Sequence, residues 1–239
     1  MAKPRRGATD LDGILLVDKS SGMTSHDVVD AVRVISGEGR VGHTGTLDPA
    51  ASGLMIICVG PATKLADQLS GLDKDYLGLV QFGSSTTTDD AEGEVLETAQ
   101  VPAELVDPDY AKSILVAFTG TVLQMPPQFS AIKQKGVRAY QQARKGQAVE
   151  LQPREVTISQ LTVQIIDSDK WLISASVSKG TYIRSLARDI GQAVGCPAHL
   201  AELRRTRVGN YHISDALTLE AIKQQATQAG FASCLRQLG

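Results

Sequence analysis

The segment GHTGTLDPAASG, residues 42–53, gathers residue types that could do chemistry within a short stretch. It holds one imidazole, His43, and one carboxylate, Asp48, together with two threonines, three glycines and a proline. Because glycine and proline favour irregular backbone, the segment is predicted to be a loop between two apolar segments. Functional residues are often carried by loops on a rigid scaffold. Asp48 could therefore be a nucleophile, a helix cap or part of a phosphate-binding loop.

Local sequence separates these three hypotheses only in part. A phosphate-binding loop of the Walker type needs Lys-Ser/Thr after its glycines, whereas Leu47-Asp48-Pro49 stands here, and a carboxylate would repel phosphate. That hypothesis is excluded. Asp48-Pro49 is a good N-cap and first-turn pair, although Ser52-Gly53 leave room for only a short helical turn. A helix cap and a functional carboxylate both stay open.

The composition is that of an ordinary globular protein. The 239 residues are 42% hydrophobic and 21% charged, and no apolar run reaches the roughly 18 residues that span a bilayer. The N-terminus carries no secretory signal, so we expect a cytoplasmic protein without membrane contact. The three cysteines lack CxxC spacing and the four histidines lack metal-ligand spacing. We therefore expect neither a disulfide framework nor a metal.

Charge is divided unevenly along the chain. Residues 67–109 hold eleven acidic residues and one basic residue, a net charge of −10, whereas residues 128–210 carry thirteen basic and six acidic residues, a net charge of +7. One interpretation is a basic face that holds phosphates beside a solvated acidic face. Two ordinary charged surfaces that average out are an equally good interpretation.

Apolar periodicity and turn residues predict the secondary structure. Strands are predicted at residues 13–20, 54–60, 75–83, 156–166 and 171–178, the last two as a hairpin; helices at 24–37, 62–70, 107–118, 138–146, 181–195 and 219–226; and an exposed acidic loop at 86–94. Because these elements mix without regular βαβ alternation, we predict an α+β fold with a mixed, mainly antiparallel central sheet flanked by helices and loops. Residues 1–11 are predicted to be a flexible basic tail and residues 12–239 a single domain.

Five stretches of the chain resemble one enzyme family in order and spacing. GHTGTLDPAASGLMIICVGPATK (42–64) resembles the hallmark segment of the pseudouridine synthase B family, which modifies the T-loop uridine at tRNA position 55. The other four are GILLVDKSSGMTSHDVV (13–29), DKDYLGLVQFGSSTTTDDAEGE (73–94), PPQFSAIKQKGVRAYQQARKG (126–146), and SKGTYIRSLARDIG (178–191) with LRRTRVG (203–209). The resemblance covers about residues 12–226.

The resemblance implies the pseudouridine synthase fold, a single catalytic domain over 12–239, and an isomerisation that needs no external cofactor. The implied partner is the T-stem loop of tRNA. We expect a monomer without an obligate protein partner, and no C-terminal RNA-binding domain of the PUA type is evident in the sequence.

The resemblance also implies a role for each motif residue. Asp48 would be the nucleophile, and Arg184 in GTYIRS the cation that keeps it ionised in a site closed to water. Tyr76 would stack on the base and serve in proton transfer, and Tyr182 would line the pocket. His43 would brace the stack that the flipped uridine leaves. The remaining implied substrate- and RNA-binding residues are Lys64, Lys19, Leu203 as an apolar wall, Lys133, Arg138, Arg144 and Lys145.

Each role has a plainer structural alternative. Arg184 could be a surface helix charge, although the start of a helix disfavours cations. Tyr76 and Tyr182 could be core residues, and His43 could contact only backbone. For the whole protein, the alternatives are the same chemistry on another RNA and a noncatalytic tRNA-binding protein.

Overall fold

The structure is a computed structural model that describes residues 9–129, 133–134, 137–138 and 151–237. The chain divides into two compact units, one formed by Met1–Asp75 with Arg204–Gly239 and the other by Tyr76–Leu203. A single catalytic domain over 12–239 stays a prediction. The predicted tail, residues 1–11, lies largely outside the described residues. Within the described part, Thr9 donates from its backbone N–H to Glu38 at 2.9 Å.

Strands and helices alternate irregularly along the chain. The strands are β1 (Gly13–Lys19), β2 (Val41–His43), β3 (Ser52–Val59), β4 (Lys74–Phe82), β5 (Ser84–Thr86), β6 (Val95–Thr98), β7 (Gly120–Gln124), β8 (Lys133–Gln134), β9 (Val137–Arg138), β10 (Arg154–Asp167), β11 (Lys170–Val177), β12 (Ala198–Val208) and β13 (Tyr211–His212). The α-helices are α1 (Ser25–Ser36), α2 (Ala66–Ser70), α3 (Pro108–Val116), α4 (Ile183–Ala193) and α5 (Leu219–Ala229). Short 3₁₀ helices span Gly60–Leu65, Ala103–Val106, Ile213–Asp215 and Phe231–Cys234.

The first unit is organised around β3. Strand β1 runs antiparallel to β3 from the Gly13↔Val59 pair to the Lys19↔Gly53 pair, and β2 also pairs antiparallel with β3. The end of β12 that belongs to this unit pairs parallel with the start of β3. Alternate residues of β1 and β3 enter one apolar core, which comprises Ile14, Leu16, Leu54, Ile56, Cys58, Ala62, Leu69 and Val208.

Helix α1 begins and ends as its sequence predicts. Thr24 is the N-cap and forms a capping box with Asp27, and Gly37 closes the helix in the left-handed conformation at φ 71°. Each interaction satisfies backbone groups that a helix end leaves without a partner. The capping box therefore fixes the point at which the connection from β1 enters α1.

The start of β3 requires glycine. Gly53 has φ +108°, and a Cβ at this position would lie 2.3 Å from the carbonyl oxygen of Arg205. Side chains of L-residues rarely adopt this φ, and the neighbouring strand leaves them no room. Gly53 therefore lets β3 and β12 approach closely just after the loop that carries Asp48.

The second unit contains a long antiparallel hairpin of β10 and β11, with β7 paired to the first half of β10. Trp171 on β11 is fully buried, donates from its indole N–H to the carbonyl of Leu105 at 2.8 Å, and meets Phe82 edge to face with ring centroids 4.9 Å apart. The predicted hairpin is confirmed. Both units show the predicted mixture of helices with mainly antiparallel strand pairs.

Three predictions of local structure need correction or lie outside the description. The predicted helix at 62–70 is a 3₁₀ helix followed by the short α2, with Pro61 in its first turn. The loop at 86–94 is not exposed throughout, because Thr86 and Asp90 are buried. Of the predicted basic helix at 138–146, only Arg138 is described, and it lies in β9.

The described residues add three simple findings. Cys58, Cys196 and Cys234 are free and buried, and burial raises the pKa of the Cys58 thiol to about 11. Among the described residues, no group of three or more His, Cys, Asp and Glu could hold a metal ion. In the same part of the chain, no helix is long and apolar enough to cross a membrane.

Candidate active site

Asp48 lies half-buried in the loop between β2 and β3. Within residues 44–51, all of which the structure describes, no helix forms, and the chain turns from the carbonyl of Asp48 to the N–H of Ala51 at 3.1 Å before β3 begins. The helix-cap hypothesis is therefore wrong. Asp48 is a carboxylate on an irregular loop, as the alternative hypothesis required.

Lys19 holds the residue that follows Asp48. Its side chain is fully buried, and Nζ donates to the carbonyl oxygens of Ser20 at 3.0 Å, Met23 at 2.7 Å and Pro49 at 3.2 Å. Three acceptors match the three hydrogens of an ammonium group. These contacts indicate that Lys19 shapes the loop, and its predicted contact with RNA stays a prediction.

A second set of bonds holds the residue that precedes Asp48. Ser25, at the start of α1, donates from Oγ to the carbonyl of Leu47 at 2.9 Å and accepts from the N–H of Leu47 at 2.8 Å. The N–H of Gly22 also donates to the carbonyl of Pro49 at 2.8 Å. Both chain neighbours of Asp48 are thus fixed by the connection between β1 and α1.

Arg205 on β12 holds the beginning of the same loop. Its side chain is buried, and its guanidinium donates to the carbonyl oxygens of Leu54 at 2.7 Å, Gly45 at 3.2 Å and Thr46 at 3.4 Å. Sequence reasoning did not single out Arg205, although it stands in the LRRTRVG motif. A buried arginine whose partners are carbonyl oxygens leaves no signal in local sequence, because its partners can have any side chain.

His43 ends β2, where its surroundings favour the neutral form of the ring. Its Nδ1 is buried and has no hydrogen-bond partner among the residues that the structure describes. Burial lowers the pKa of His43 below its usual value, and electrostatic interactions with Arg205 and His26 lower it further. A neutral, flat imidazole suits stacking against a base. The alternative in which His43 contacts only backbone is not supported at Nδ1, because this atom has no hydrogen-bond partner among the described residues.

In the second unit, Arg184 is buried in the first turn of α4. Its guanidinium donates to the carbonyl oxygens of Thr88 at 2.9 Å and Phe129 at 3.0 Å, and it pairs with Asp90 at 3.3 Å. The surface-charge alternative for Arg184 is therefore wrong. A helix N-terminus disfavours a cation, so the carboxylate of Asp90 offsets an unfavourable position.

Asp90 is a site residue that sequence reasoning missed. Its Oδ2 pairs with Arg184, while Oδ1 accepts from the hydroxyl of Thr88 and from the N–H of Glu92 at 3.1 Å. The stretch TTTDDAEGE looks solvated because of its acidic residues. The hydroxyl of Thr88, two residues before Asp90, is the local signal that could have indicated a structured turn.

The tyrosines and Leu203 occupy different settings in this unit. Tyr76 is buried on β4, and Leu203 is half-buried on β12. Tyr182 is half-buried just before α4, where the amide of Gln124 accepts from its backbone N–H at 2.8 Å and donates to its carbonyl at 3.1 Å. Gln124, also missed from sequence, fixes the backbone of Tyr182.

The other predicted RNA-binding residues are only partly described. Lys64 is exposed on the 3₁₀ helix after β3. Lys133 and Arg138 lie in β8 and β9, of which only the backbone is described, and Arg144 and Lys145 lie outside the described residues.

The acidic and basic sectors of the sequence pair with each other inside each unit. Three carboxylates from residues 67–109 form ion pairs with three arginines from residues 128–210: Asp75 with Arg207, Asp89 with Arg188, and Asp90 with Arg184. The hypothesis of a fully solvated acidic face is therefore wrong at these positions. Correspondingly less of the positive charge in the basic sector is available to a ligand.

Comparison with solved structures gives the class of protein. The chain is similar to a chain of a Cbf5–Nop10–Gar1 complex, with a TM-score of 0.72 and 27% identity over 94% of this chain and 59% of that one. It is also similar to a chain of an H/ACA RNP bound to a substrate RNA containing 2′-deoxyuridine, with a TM-score of 0.69 and 25% identity over 94% of this chain and 58% of that one. The fold is that of the pseudouridine synthases.

Sequence comparison gives the family. The chain belongs to the TruB family: the model of the TruB family pseudouridylate synthase N-terminal domain matches residues 33–183, and that of the tRNA pseudouridylate synthase B C-terminal domain matches residues 184–238. Relatives named tRNA pseudouridine synthase B include proteins from Stutzerimonas stutzeri, 43% identical over 96% of this chain and 74% of the relative, and Thermobifida fusca, 48% identical over 90% and 76%. A third, from Opitutus terrae, is 44% identical over 93% of this chain and 90% of the relative.

Proposed function

We propose that this chain isomerises uridine to pseudouridine at position 55 in the T loop of tRNA, with Asp48 as the nucleophile. Membership of the TruB family supports the reaction and tRNA as the substrate. The hallmark segment 42–64 supports the position. The observation that carries the role of Asp48 is the fixed loop, in which Ser25 holds Leu47 and Lys19 holds Pro49.

The reaction is balanced without a co-reactant. The bond between ribose C1′ and uracil N1 breaks, the base turns, and a bond forms between C1′ and C5. The proton on C5 leaves and N1 takes up a proton, so the net change is an isomerisation. Asp48 attacks the substrate and later leaves, which replaces one difficult step by two easier ones. Attack on ribose C1′ and attack on uracil C6 both require an ionised carboxylate.

The other motif residues have proposed roles in the same reaction. Arg184 supplies positive charge, and its contacts with Thr88, Phe129 and Asp90 help to fix where that charge lies. Tyr76 stacks on the base and serves in proton transfer, while Tyr182 and Leu203 line the pocket. His43, whose burial favours the neutral ring, braces the stack that the flipped uridine leaves.

The proposed partner is the T-stem loop of tRNA alone. Lys64, which is exposed, is proposed to bind phosphate, and so are Lys133, Arg138, Arg144 and Lys145; such contacts position the RNA and do not read its sequence. We propose a cytoplasmic monomer without an external cofactor or an obligate protein partner. A noncatalytic tRNA-binding protein is the alternative that the experiment below must exclude.

Incubation of the purified chain with unmodified tRNA, followed by mapping of pseudouridine at single-nucleotide resolution, tests the proposal. We expect pseudouridine at position 55, none in a tRNA with cytidine there, and none with Asp48→Asn. Asp67→Asn, a change at an exposed carboxylate on α2, is the matched control and should leave the product unchanged. Tight binding without product would favour the noncatalytic alternative, and equal product from Asp48→Asn would remove Asp48 from its role.

A further inference from the structure

Helix α4 carries a second arginine one turn after Arg184. Arg188 stands four residues later, so both side chains lie on the same face of the helix. Its Nη1 pairs with Asp89 at 2.8 Å, its Nη2 donates to the carbonyl of Met125 at 2.8 Å, and its Nε donates to Asp189 at 2.9 Å. The side chain of Arg188 is only 20% exposed.

The two arginines contact the same two segments of the second unit. On the turn at 88–90, Arg184 bonds to Thr88 and Asp90, and Arg188 bonds to Asp89 between them. On the segment 125–129, Arg188 bonds to its first residue and Arg184 to its last. The residues that Arg184 contacts here therefore lie within a few positions in the sequence of the residues that Arg188 contacts.

We propose that Arg188 is a positioning residue for the reaction, which holds both segments in place so that Arg184 presents its guanidinium in a single orientation. This inference rests on the proposed function. Arg188 itself acts only through Arg184 and its partners. Ser185 supports the same arrangement, because its hydroxyl also donates to the carbonyl of Met125 at 2.8 Å.

The backbone of Asp89 is shaped for this contact. Asp89 has φ 60°, the only positive value at a non-glycine among the described residues, and its carbonyl accepts from the N–H of Leu200 at 3.0 Å. This left-handed residue lets two successive carboxylates reach two arginines that are one helical turn apart. Strained backbone of this kind persists only where its surroundings enforce it. Burial raises the pKa of Asp89, and the charges of Arg188 and Arg184 oppose that rise.

Asp89→Asn is the sharpest variant, since asparagine tolerates the left-handed conformation and the change removes only the charge. We expect the single-turnover rate at saturating tRNA to fall about tenfold or more, because small misplacements at an active site are costly, with the dissociation constant for tRNA within about twofold of wild type. Asp109→Asn, at an exposed carboxylate that pairs with Lys112, is the control and should change neither quantity.

Arg188 variants test the same contact from the other side. Arg188→Met should lower the rate at least as much as Asp89→Asn, and Arg188→Lys should restore part of it by keeping the charge near Asp89. In an Arg184→Lys background, Arg188→Met should cost less than it does in wild type, because the two residues act through one guanidinium position. Hydrogen exchange should rise in peptides covering 86–92 and 122–129 and stay unchanged in the β10–β11 hairpin.

The outcomes separate this inference from the proposed function. Wild type without pseudouridine formation overturns the proposed function. If wild type is active, either of two results overturns the positioning role. The first is a rate that Asp89→Asn leaves unchanged. The second is a loss of rate from Arg188→Met that is equally large in the Arg184→Lys background. If Arg188→Met does not fold, Asp89→Asn decides the question alone.

Discussion

The Nζ of Lys19 lies 3.2 Å from the carbonyl oxygen of Pro49, so a buried cation holds the residue that directly follows Asp48. The same ammonium group donates to two carbonyls of the connection between β1 and α1. Burying a charge is costly unless the charge is paired and hydrogen-bonded. The position of the candidate nucleophile is therefore tied to a buried cation at the end of β1.

Lys19→Met should lower the stability of the fold and the rate of the reaction. Three carbonyl oxygens lose a donor, and unsatisfied buried polar groups cost about 1–3 kcal/mol each, so urea unfolding should show a clear loss. The rate at saturating tRNA should fall by a larger factor than the affinity for tRNA does, because Lys19 is buried and holds the Asp48 loop. Lys223→Met, at an exposed lysine on α5, is the control. Loss of affinity with an unchanged rate would show instead that Lys19 contacts RNA.

Asp90→Asn should impair catalysis through Arg184. The variant keeps the acceptor that Thr88 and Glu92 use but removes the charge that offsets a buried guanidinium, and breaking one partner of a buried ion pair costs about 3–5 kcal/mol. We expect a rate at least tenfold lower in the single-turnover assay. Glu97→Gln on β6, an exposed carboxylate, should behave as wild type. A rate equal to wild type would show that Arg184 needs no partner at this position.

Lys64→Gln should weaken tRNA binding and reduce its salt dependence. Each neutralised phosphate contributes about −0.7 to −0.9 to the slope of log K against log salt, so loss of one contact should make the slope shallower by roughly that amount. Binding titrations at several salt concentrations measure it. Lys223→Gln serves as the exposed control in the same unit. An unchanged slope would place Lys64 outside the RNA-binding surface.

Glu38 should make stability depend on acid pH. Although burial raises its pKa, hydrogen bonds from Arg40 and Thr9 outweigh that effect and lower the pKa to about 2. A carboxylate with a lowered pKa stabilises the fold fully above its unfolded value, near 4.5, and the contribution is lost as the pH falls toward 2. The stability gap between wild type and Glu38→Gln in urea should therefore be larger at pH 7 than at pH 3. An equal difference in stability between the two proteins at pH 7 and at pH 3 would contradict the lowered pKa of Glu38.

Gly53→Ala should destabilise the first unit. The new Cβ would meet the carbonyl oxygen of Arg205 at 2.3 Å, and φ +108° is unfavourable for alanine. We expect a loss of about 2 kcal/mol or more in urea unfolding, since overpacking and backbone strain add. Gly42→Ala is the matched control, because a Cβ added at Gly42 would meet nothing within 4 Å. Similar losses in both variants would show that close approach at Gly53 is not the cause.

Local signals in the sequence predicted much of the fold. The helix at 24–37, the hairpin of β10 and β11, and the loop that carries Asp48 were all predicted from residues close together in the chain. The helix-cap alternative for Asp48 could be excluded only in the structure. The contacts that support the site join residues 30 positions apart for Lys19 and Pro49, and 160 apart for Arg205 and Gly45. Periodicity and composition do not encode which distant side chains meet, so Asp90, Gln124 and Arg205 were missed.

Two long cationic side chains, Lys19 and Arg205, donate to backbone carbonyls of the Asp48 loop at positions 45, 46 and 49. Any residue type supplies a carbonyl, but only a long cation supplies these donors. Tolerance to substitution should consequently differ between the loop and its donors. Random libraries of the loop should accept many side chains around Asp48, whereas libraries at Lys19 and Arg205 should return few active clones. The parts of the site most resistant to genetic change would then lie outside the loop that performs the reaction.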